Sequence, residues 1–155
     1  MFYNTDNLVV LKTLEANYEV IRDEYLAVSS KTVTWPEEFL HNGKWEAYGI
    51  KFQGKDIPNM CPKTTEIIGS IPGVYIAGFS VLKAGCVISP HKGYTGSVWR
   101  SHLGLICPDN CWIKVGDATH KWKEGEVVVF DDTLTHEAAN EGSQDRVVLI
   151  VDIPK

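Results

Sequence analysis

The sequence predicts an α+β chain whose core is all β. Three observations carry this. Helix-periodic residues come first and strand-like runs fill the C-terminal half. Gly, Pro and Asn/Asp breaks separate those runs at short intervals. Polar, metal-capable residues are threaded through them: four of the five histidines (His91, His102, His120, His136) and two of the three arginines (Arg100, Arg146) lie between positions 91 and 146. At 155 residues the chain suits one domain, 1–155, with a core of its own.

Residues 7–29 set Leu11, Leu14, Tyr18, Ile21, Tyr25 and Val28 at i, i+3, i+4 spacing. This predicts an amphipathic helix packed on a sheet, capped by Thr5 or Asp6 and ended by Ser29-Ser30. Trp35-Pro36 breaks the chain, a short helical piece follows at 37–42 with a solvated His41 near its end, and 44–52 reads as a strand. Residues 54–62 are loop and 63–70 a two-turn helix before Pro72-Gly73. From Val74 onward strands dominate, at 74–82, 86–88, 97–106, 111–115, 121–122, 126–130, 137–139 and 146–153. Turn signals such as Lys83-Ala84-Gly85, Pro108-Asp109-Asn110 and Glu124-Gly125 divide them, as in a sandwich or barrel. The β-rich core is thus 74–153.

Composition narrows the function classes. A net charge of -5 argues against a nucleic-acid or anionic-membrane partner, which needs a basic face. No run reaches the ~18 apolar residues of a membrane span, and the N-terminus carries no leader pattern, so a cytoplasmic location is expected. Cys61, Cys86, Cys107 and Cys111 lack the paired short spacings of a zinc site and read as buried or idle thiols.

Period-2 alternation puts Val98, Arg100, His102, Gly104 and Ile106 on one face of their strand, and Arg146, Val148 and Ile150 on one face of the last. If these faces point inward, both arginines need partners. With no carboxylate expected to alternate beside them, an anionic ligand is the implied counter-charge, and an Arg fork suits a carboxylate. His91, in a Gly-rich turn entering a strand, and His136, after the apolar run 127–130, could converge at one open end of a barrel. Paired imidazoles with open positions suit iron and oxygen chemistry. His120 sits in a polar turn and is left out.

The segments SPHKGYTG (89–96), WRSHLGL (99–105), KWKEGEVVVFDDTLTHEA (121–138) and RVVLIVD (146–152) resemble the catalytic core of the aspartyl/asparaginyl β-hydroxylases. The likeness continues upstream through GKWEAYGI (43–50) and YIAGFSVLKAG (75–85) to the N-terminal helix. The resemblance implies a double-stranded β-helix (jelly-roll, cupin-like) core with the N-terminal helix packed on it. It implies an iron(II)- and 2-oxoglutarate-dependent dioxygenase that hydroxylates a C–H of an aspartyl/asparaginyl or other amino-acid-type substrate, using O2 and releasing succinate. It also assigns roles: His91 and His136 as iron ligands, Arg146 with Ser80 on a carboxylate of 2-oxoglutarate, Arg100 and His102 as further cosubstrate contacts, and Trp45 lining the pocket.

Gly93 stands where the wider oxygenase class carries a third, carboxylate ligand. The resembled family has glycine there too, so a position on iron is left for water or an anion; Asp131 or Asp132 is a less favoured substitute ligand. Three alternatives follow: a halogenase using the open position, a non-enzymatic cupin-like module, and, weakest, a zinc hydrolase. No anchor or accessory recognition domain is expected, which leans the substrate toward a small molecule or short peptide rather than a lipid. Lys92 and Tyr94 are candidate substrate contacts.

Overall fold

The computed structural model describes residues 2–4, 8–94 and 96–155. The expected helix caps, Thr5 and Asp6, lie outside the described residues. The N-terminal amphipathic pattern is realised in pieces: a 3-10 turn at Val9–Leu11, α1 at Lys12–Ala16 and α2 at Tyr18–Val28. The expected continuous helix breaks at Asn17, whose φ is -113° and whose Nδ2 donates to the Thr13 carbonyl oxygen at 2.7 Å. An Asn amide competing for a backbone carbonyl is a recurrent helix interrupter. The buried stripe is otherwise as the spacing predicts, with Leu11, Leu14, Ile21, Tyr25 and Val28 all inside. The helix α3, Pro62–Gly69, opens on a proline and is capped from outside. Glu24 of α2 accepts from Thr64 N (2.6 Å), Thr64 Oγ1 (2.8 Å) and Lys63 N (3.1 Å), joining the two helices.

The strands are β1 (Val33–Thr34), β2 (Trp45–Phe52), β3 (Lys55–Asp56), β4 (Ile76–Leu82), β5 (Val87–His91), β6 (Val98–Ile106), β7 (Cys111–Val115), β8 (Ala118–His120), β9 (Val127–Phe130), β10 (His136–Asn140) and β11 (Arg146–Pro154). They form two antiparallel sheets, one in the order β1-β2-β4-β11-β6-β9 with β3 beside β2, the other β5-β10-β7-β8. This is the jelly-roll arrangement with helices on one side. The expected loop at 54–62 contains the short strand β3, and the small strand expected at 121–122 lies instead at β8, leaving Trp122 outside any strand. His41 is half-buried, bridging to Ile88 and edging Trp45, rather than solvated.

Two apolar layers result. Val147, Leu149, Val151 and Ile153 of β11 join Phe79, Val81, Leu103 and Leu105 under the helices. The alternate positions Val148 and Ile150 face the smaller sheet and pack with Ile88, Ile113 and Ala138. The functional residues are embedded in this second, inter-sheet layer.

Candidate functional site

The pairing of β5 with β10 sets His91 opposite His136, and their ring centroids stand 4.3 Å apart. Each Nδ1 lies 2.8 Å from the carbonyl oxygen two residues earlier, Ser89 for His91 and Leu134 for His136. A carbonyl only accepts, so each Nδ1 carries a hydrogen, and in the neutral ring the lone pair is on Nε2. Among the described residues nothing engages either Nε2. This is how metal-binding imidazoles are commonly held, with the second nitrogen anchored on an acceptor. Burial pushes His136 down to about 4, so it is neutral and ligand-ready at pH 7. Among the described residues no third His, Cys, Asp or Glu joins the pair into a metal-binding group. An ion held here would therefore have two protein ligands.

Gly93 explains the missing third one. A Cβ on it would meet the Asp132 carboxylate oxygens at 2.2 and 2.7 Å, and Gly93 N already donates to the Asp132 carbonyl at 2.6 Å. A side chain at position 93 would have to displace the carboxylate of Asp132, which fills that space. Asp132 is 5% exposed, its Oδ1 has no partner, and burial raises its pKa against the opposing pull of Arg100. Asp131, by contrast, is turned to Lys155 (2.6 Å) and Thr133.

The inward-facing arginines differ sharply. Arg100 grips Asp152 through two parallel hydrogen bonds, Nε to Oδ1 at 2.9 Å and Nη2 to Oδ2 at 2.8 Å, and its Nη1 lies 3.8 Å from Asp132 Oδ2. The expectation that no carboxylate accompanies these arginines fails here. The alternation Arg146, Val148, Ile150 continues to Asp152, and the β11–β6 register sets Asp152 across from Arg100. Arg100 still lines the cavity, but its charge is already matched.

Arg146 has no such match. It is 2% exposed, Nη2 donates to Ser80 O (3.0 Å) and Ser80 Oγ (2.9 Å), and Nε has no partner. No carboxylate pairs with it among the described residues. The acidic groups that feel its charge are the thiols of Cys86, Cys107 and Cys111; burial raises all three, Cys107 to about 12, so they stay protonated. All four cysteines are free. Burial lowers Arg146 itself to about 10, still protonated at neutral pH.

Around Arg146 the remaining donors point the same way. Ser80 Oγ accepts from Trp45 Nε1 (2.9 Å) as well as from Arg146, so both its lone pairs are used and its own O–H is left to donate. His102 Nδ1 accepts from Trp122 Nε1 at 3.1 Å, which puts the hydrogen on Nε2, and that Nε2 is buried with no partner. Burial and the charge of Arg146 hold His102 well below its usual pKa, hence neutral. A cation, a hydroxyl and an imidazole N–H line one cavity with His91 and His136. Such a set can take an anion beside a metal ion.

All seven residues expected at the site, His91, His136, Ser80, Arg100, His102, Arg146 and Trp45, line this cavity. Sequence reasoning missed Trp122, which lines it too, and Asp152. The first was hidden by lying between strands; the second was legible, two residues past Ile150 on the same face.

From the histidines an open groove of about 590 Å³ runs over the inner face of β2 and β4. Its floor includes Ala47, Gly49 and Gly78 and its walls Val33, Trp35, Phe52, Ile57 and Ile76. The charged groups lining it are largely engaged. Glu37 accepts from Tyr94 (2.5 Å) and Trp35 Nε1 (3.3 Å), and Lys51 meets Asp56 at 3.3 Å. Lys92 and Tyr94, the candidate substrate contacts, both border it.

Residues 15–155 match the family model described as aspartyl/asparaginyl beta-hydroxylase. The chain is 33% identical to the Homo sapiens aspartyl/asparaginyl beta-hydroxylase over 157 residues, 93% of this chain and 21% of that protein. It is 30% identical to the Rhizobium tropici ornithine lipid ester-linked acyl 2-hydroxylase over 168 residues, 99% of this chain and 60% of that protein. The chain thus spans about a fifth of the former and three-fifths of the latter. Among solved structures it resembles a Pseudomonas putida prolyl-4-hydroxylase, with a TM-score of 0.62, 11% identity, and 91% and 87% of the two chains covered. A predicted oxalate decarboxylase from Thermotoga maritima gives 0.55 at 16% identity, covering 80% and 92%. Both likenesses are of fold.

Proposed function

The chain belongs to the aspartyl/asparaginyl beta-hydroxylase family, and we propose that it is an iron(II)- and 2-oxoglutarate-dependent dioxygenase that hydroxylates a C–H bond. The observation that carries this reading is Arg146. A buried guanidinium without a carboxylate is costly unless a ligand supplies the counter-charge, and this one lines the same cavity as two imidazoles with free Nε2 atoms.

The residues fit the groups. His91 and His136 would hold iron through Nε2, with their Nδ1–H groups fixed on Ser89 and Leu134. Arg146 and Ser80 would bind a carboxylate of 2-oxoglutarate by one charged and one neutral donor, and His102 Nε2–H would add a third. Arg100, already paired with Asp152, shapes the cavity more than it binds. Trp45 closes the wall and fixes Ser80 through its indole N–H. Iron(II), 2-oxoglutarate and O2 together supply the oxidising power for hydroxylation, with succinate and carbon dioxide as co-products. The protein's part is to orient, neutralise charge and keep water out.

The substrate approaches along the groove. An amino-acid-type substrate follows from the family, free or in a peptide. The groove adds a preference for one with an apolar chain near the reacting carbon, since its walls are apolar and its charges largely paired. That moves an acyl-bearing substrate, the kind named for the Rhizobium relative, from the less favoured to an equal candidate. Hydroxylation is preferred to halogenation because the Asp132 carboxylate stands beside the position left by Gly93, which disfavours a second anion there. A cytoplasmic location completes the proposal, with residues 1–155 forming one oxygenase domain.

The test is succinate formation from 2-oxoglutarate with iron(II) under air, with mass spectrometry of a panel of aspartyl peptides, free amino acids and acylated amino acids. A product heavier by one oxygen is expected. A chlorinated product would replace hydroxylation with halogenation, and loss of succinate formation on removing the substrate's apolar chain would support the groove assignment. No binding of 2-oxoglutarate with iron would refute the reading.

A further inference from the structure

Trp122 lies in the turn between β8 and β9, 5% exposed, and touches both buried groups of the anion site. Its Nε1–H donates to His102 Nδ1 at 3.1 Å, and the Arg146 guanidinium carbon stands 4.2 Å from its ring centroid. The turn that carries it is held tightly. Gly104 N donates to the Glu126 carbonyl (3.0 Å) and Gly125 N to the Gly104 carbonyl (2.9 Å). A Cβ on Gly104 would lie 2.1 Å from the Lys123 carbonyl oxygen, so only glycine lets β6 come this close. The sequence thus places an indole against the floor of the cavity by backbone fit.

We propose that Trp122 is the positioning residue of the anion site: it fixes His102 as the Nε2–H tautomer and backs the Arg146 guanidinium with its ring face. The proposal rests on the assignment of this cavity to 2-oxoglutarate. The physics is simple. A neutral imidazole carries one hydrogen, and the buried nitrogen that receives the indole N–H cannot hold it. Nε2 must therefore be the donor, and it is the atom left unpartnered in the cavity. Without the indole N–H the ring can take the other tautomer, which turns a lone pair toward the bound carboxylate. The ring face meanwhile offers Arg146 its negative quadrupole while leaving the unpartnered Nε free. Trp122 does not line the substrate groove, and its contacts are with His102 and Arg146, so its effect falls on cosubstrate affinity.

Two measurements on the full chain test this. Long-range 15N–1H correlation spectra of the metal-free protein at pH 7.5 read the His102 tautomer, which is Nε2–H in wild type and a mixture in Trp122→Phe, a variant that keeps an aromatic ring beneath Arg146. Calorimetric titration of Mn(II)-loaded protein with 2-oxoglutarate is expected to weaken roughly five- to twentyfold in Trp122→Phe, and not to weaken further when the same change is made in a His102→Leu background. An unchanged tautomer, or an equal loss in both backgrounds, overturns the proposal. If wild type binds no 2-oxoglutarate the functional reading fails instead, and the tautomer spectra still decide the role of Trp122. Thermal unfolding of each variant shows that it is folded; should Trp122→Phe fail to fold, the wild-type spectrum decides alone, since a His102 that carries its hydrogen on Nδ1 overturns the proposal.

Discussion

Replacing each of the two inward-facing arginines by methionine should give opposite signatures. Arg146→Met removes two hydrogen bonds to Ser80 and a cation–π contact with Trp122. Those contacts are worth roughly 1.5–3 kcal/mol per charged hydrogen bond and about 2 kcal/mol for a desolvated ring contact. The change also relieves the several kcal/mol that an uncompensated buried ion costs. These terms oppose each other, so the stability of the ligand-free protein should move by no more than about 1–2 kcal/mol. Arg100→Met leaves Asp152, 2% exposed, as a buried carboxylate without its bidentate partner. That should cost about 3–5 kcal/mol. Binding reverses the order. Arg146→Met should weaken 2-oxoglutarate by about 2–4 kcal/mol, roughly 30- to 1,000-fold, by stripping one partner from a desolvated charge pair. Urea denaturation of the metal-free proteins and calorimetric titration with Mn(II) and 2-oxoglutarate read the two quantities separately. A strongly destabilised Arg146→Met that still binds 2-oxoglutarate normally would make Arg146 a structural residue and refute the reasoning.

Four further outcomes are expected. His136 has a folded-state pKa of about 4 against an ordinary 6.5; the unfolded chain takes up the proton first, so stability holds above pH 6.5 and falls toward pH 4, by at most about 3 kcal/mol. Denaturation of the metal-free protein at pH 7 and pH 4.5 should show this fall, and His136→Asn should reduce it, leaving the share of His102 and His120, whose pKa values are also lowered by burial. Gly93→Asp must displace the Asp132 carboxylate, so it should lose about 1–3 kcal/mol of stability together with most metal affinity; a stable, fully active variant would show that the space is open after all. Glu24→Ala removes the shared cap of α3 and should cost about 1–2 kcal/mol without altering the Kd for 2-oxoglutarate. Ile57→Asp puts a charge into the groove wall and should raise KM for an apolar substrate tenfold or more while leaving cosubstrate affinity unchanged.

Much of this was legible in the sequence because strand alternation is a strict code. The faces of β6 and β11 followed from period 2 alone, and they put His102 and Arg146 in the inter-sheet layer. The same code, carried two residues further, reaches Asp152, and stopping short of it made Arg100 look unpaired. What alternation cannot reach is the turn. Trp122 has no periodic neighbour to fix its direction, and the contact that seats it, Gly104 against Lys123, joins residues on different elements. The break at Asn17 was likewise hidden, since the apolar stripe runs through it and only a local side-chain hydrogen bond interrupts the helix. The resemblance to a known family supplied the roles; the hydrogen-bond partners of each imidazole came only with three-dimensional contacts.

If the proposed function holds, the solitary charge of Arg146 would also tie the protein's lifetime to its supply of cosubstrate. On the proposed reading, each molecule that folds before 2-oxoglutarate arrives carries an electrostatic debt at its centre, and binding discharges it. A ligand at 100 times its Kd adds about 2.7 kcal/mol to the folded state. When 2-oxoglutarate is scarce the idle protein is the less stable form, the first to open and to be degraded. Abundance would then follow the metabolite without any dedicated sensor.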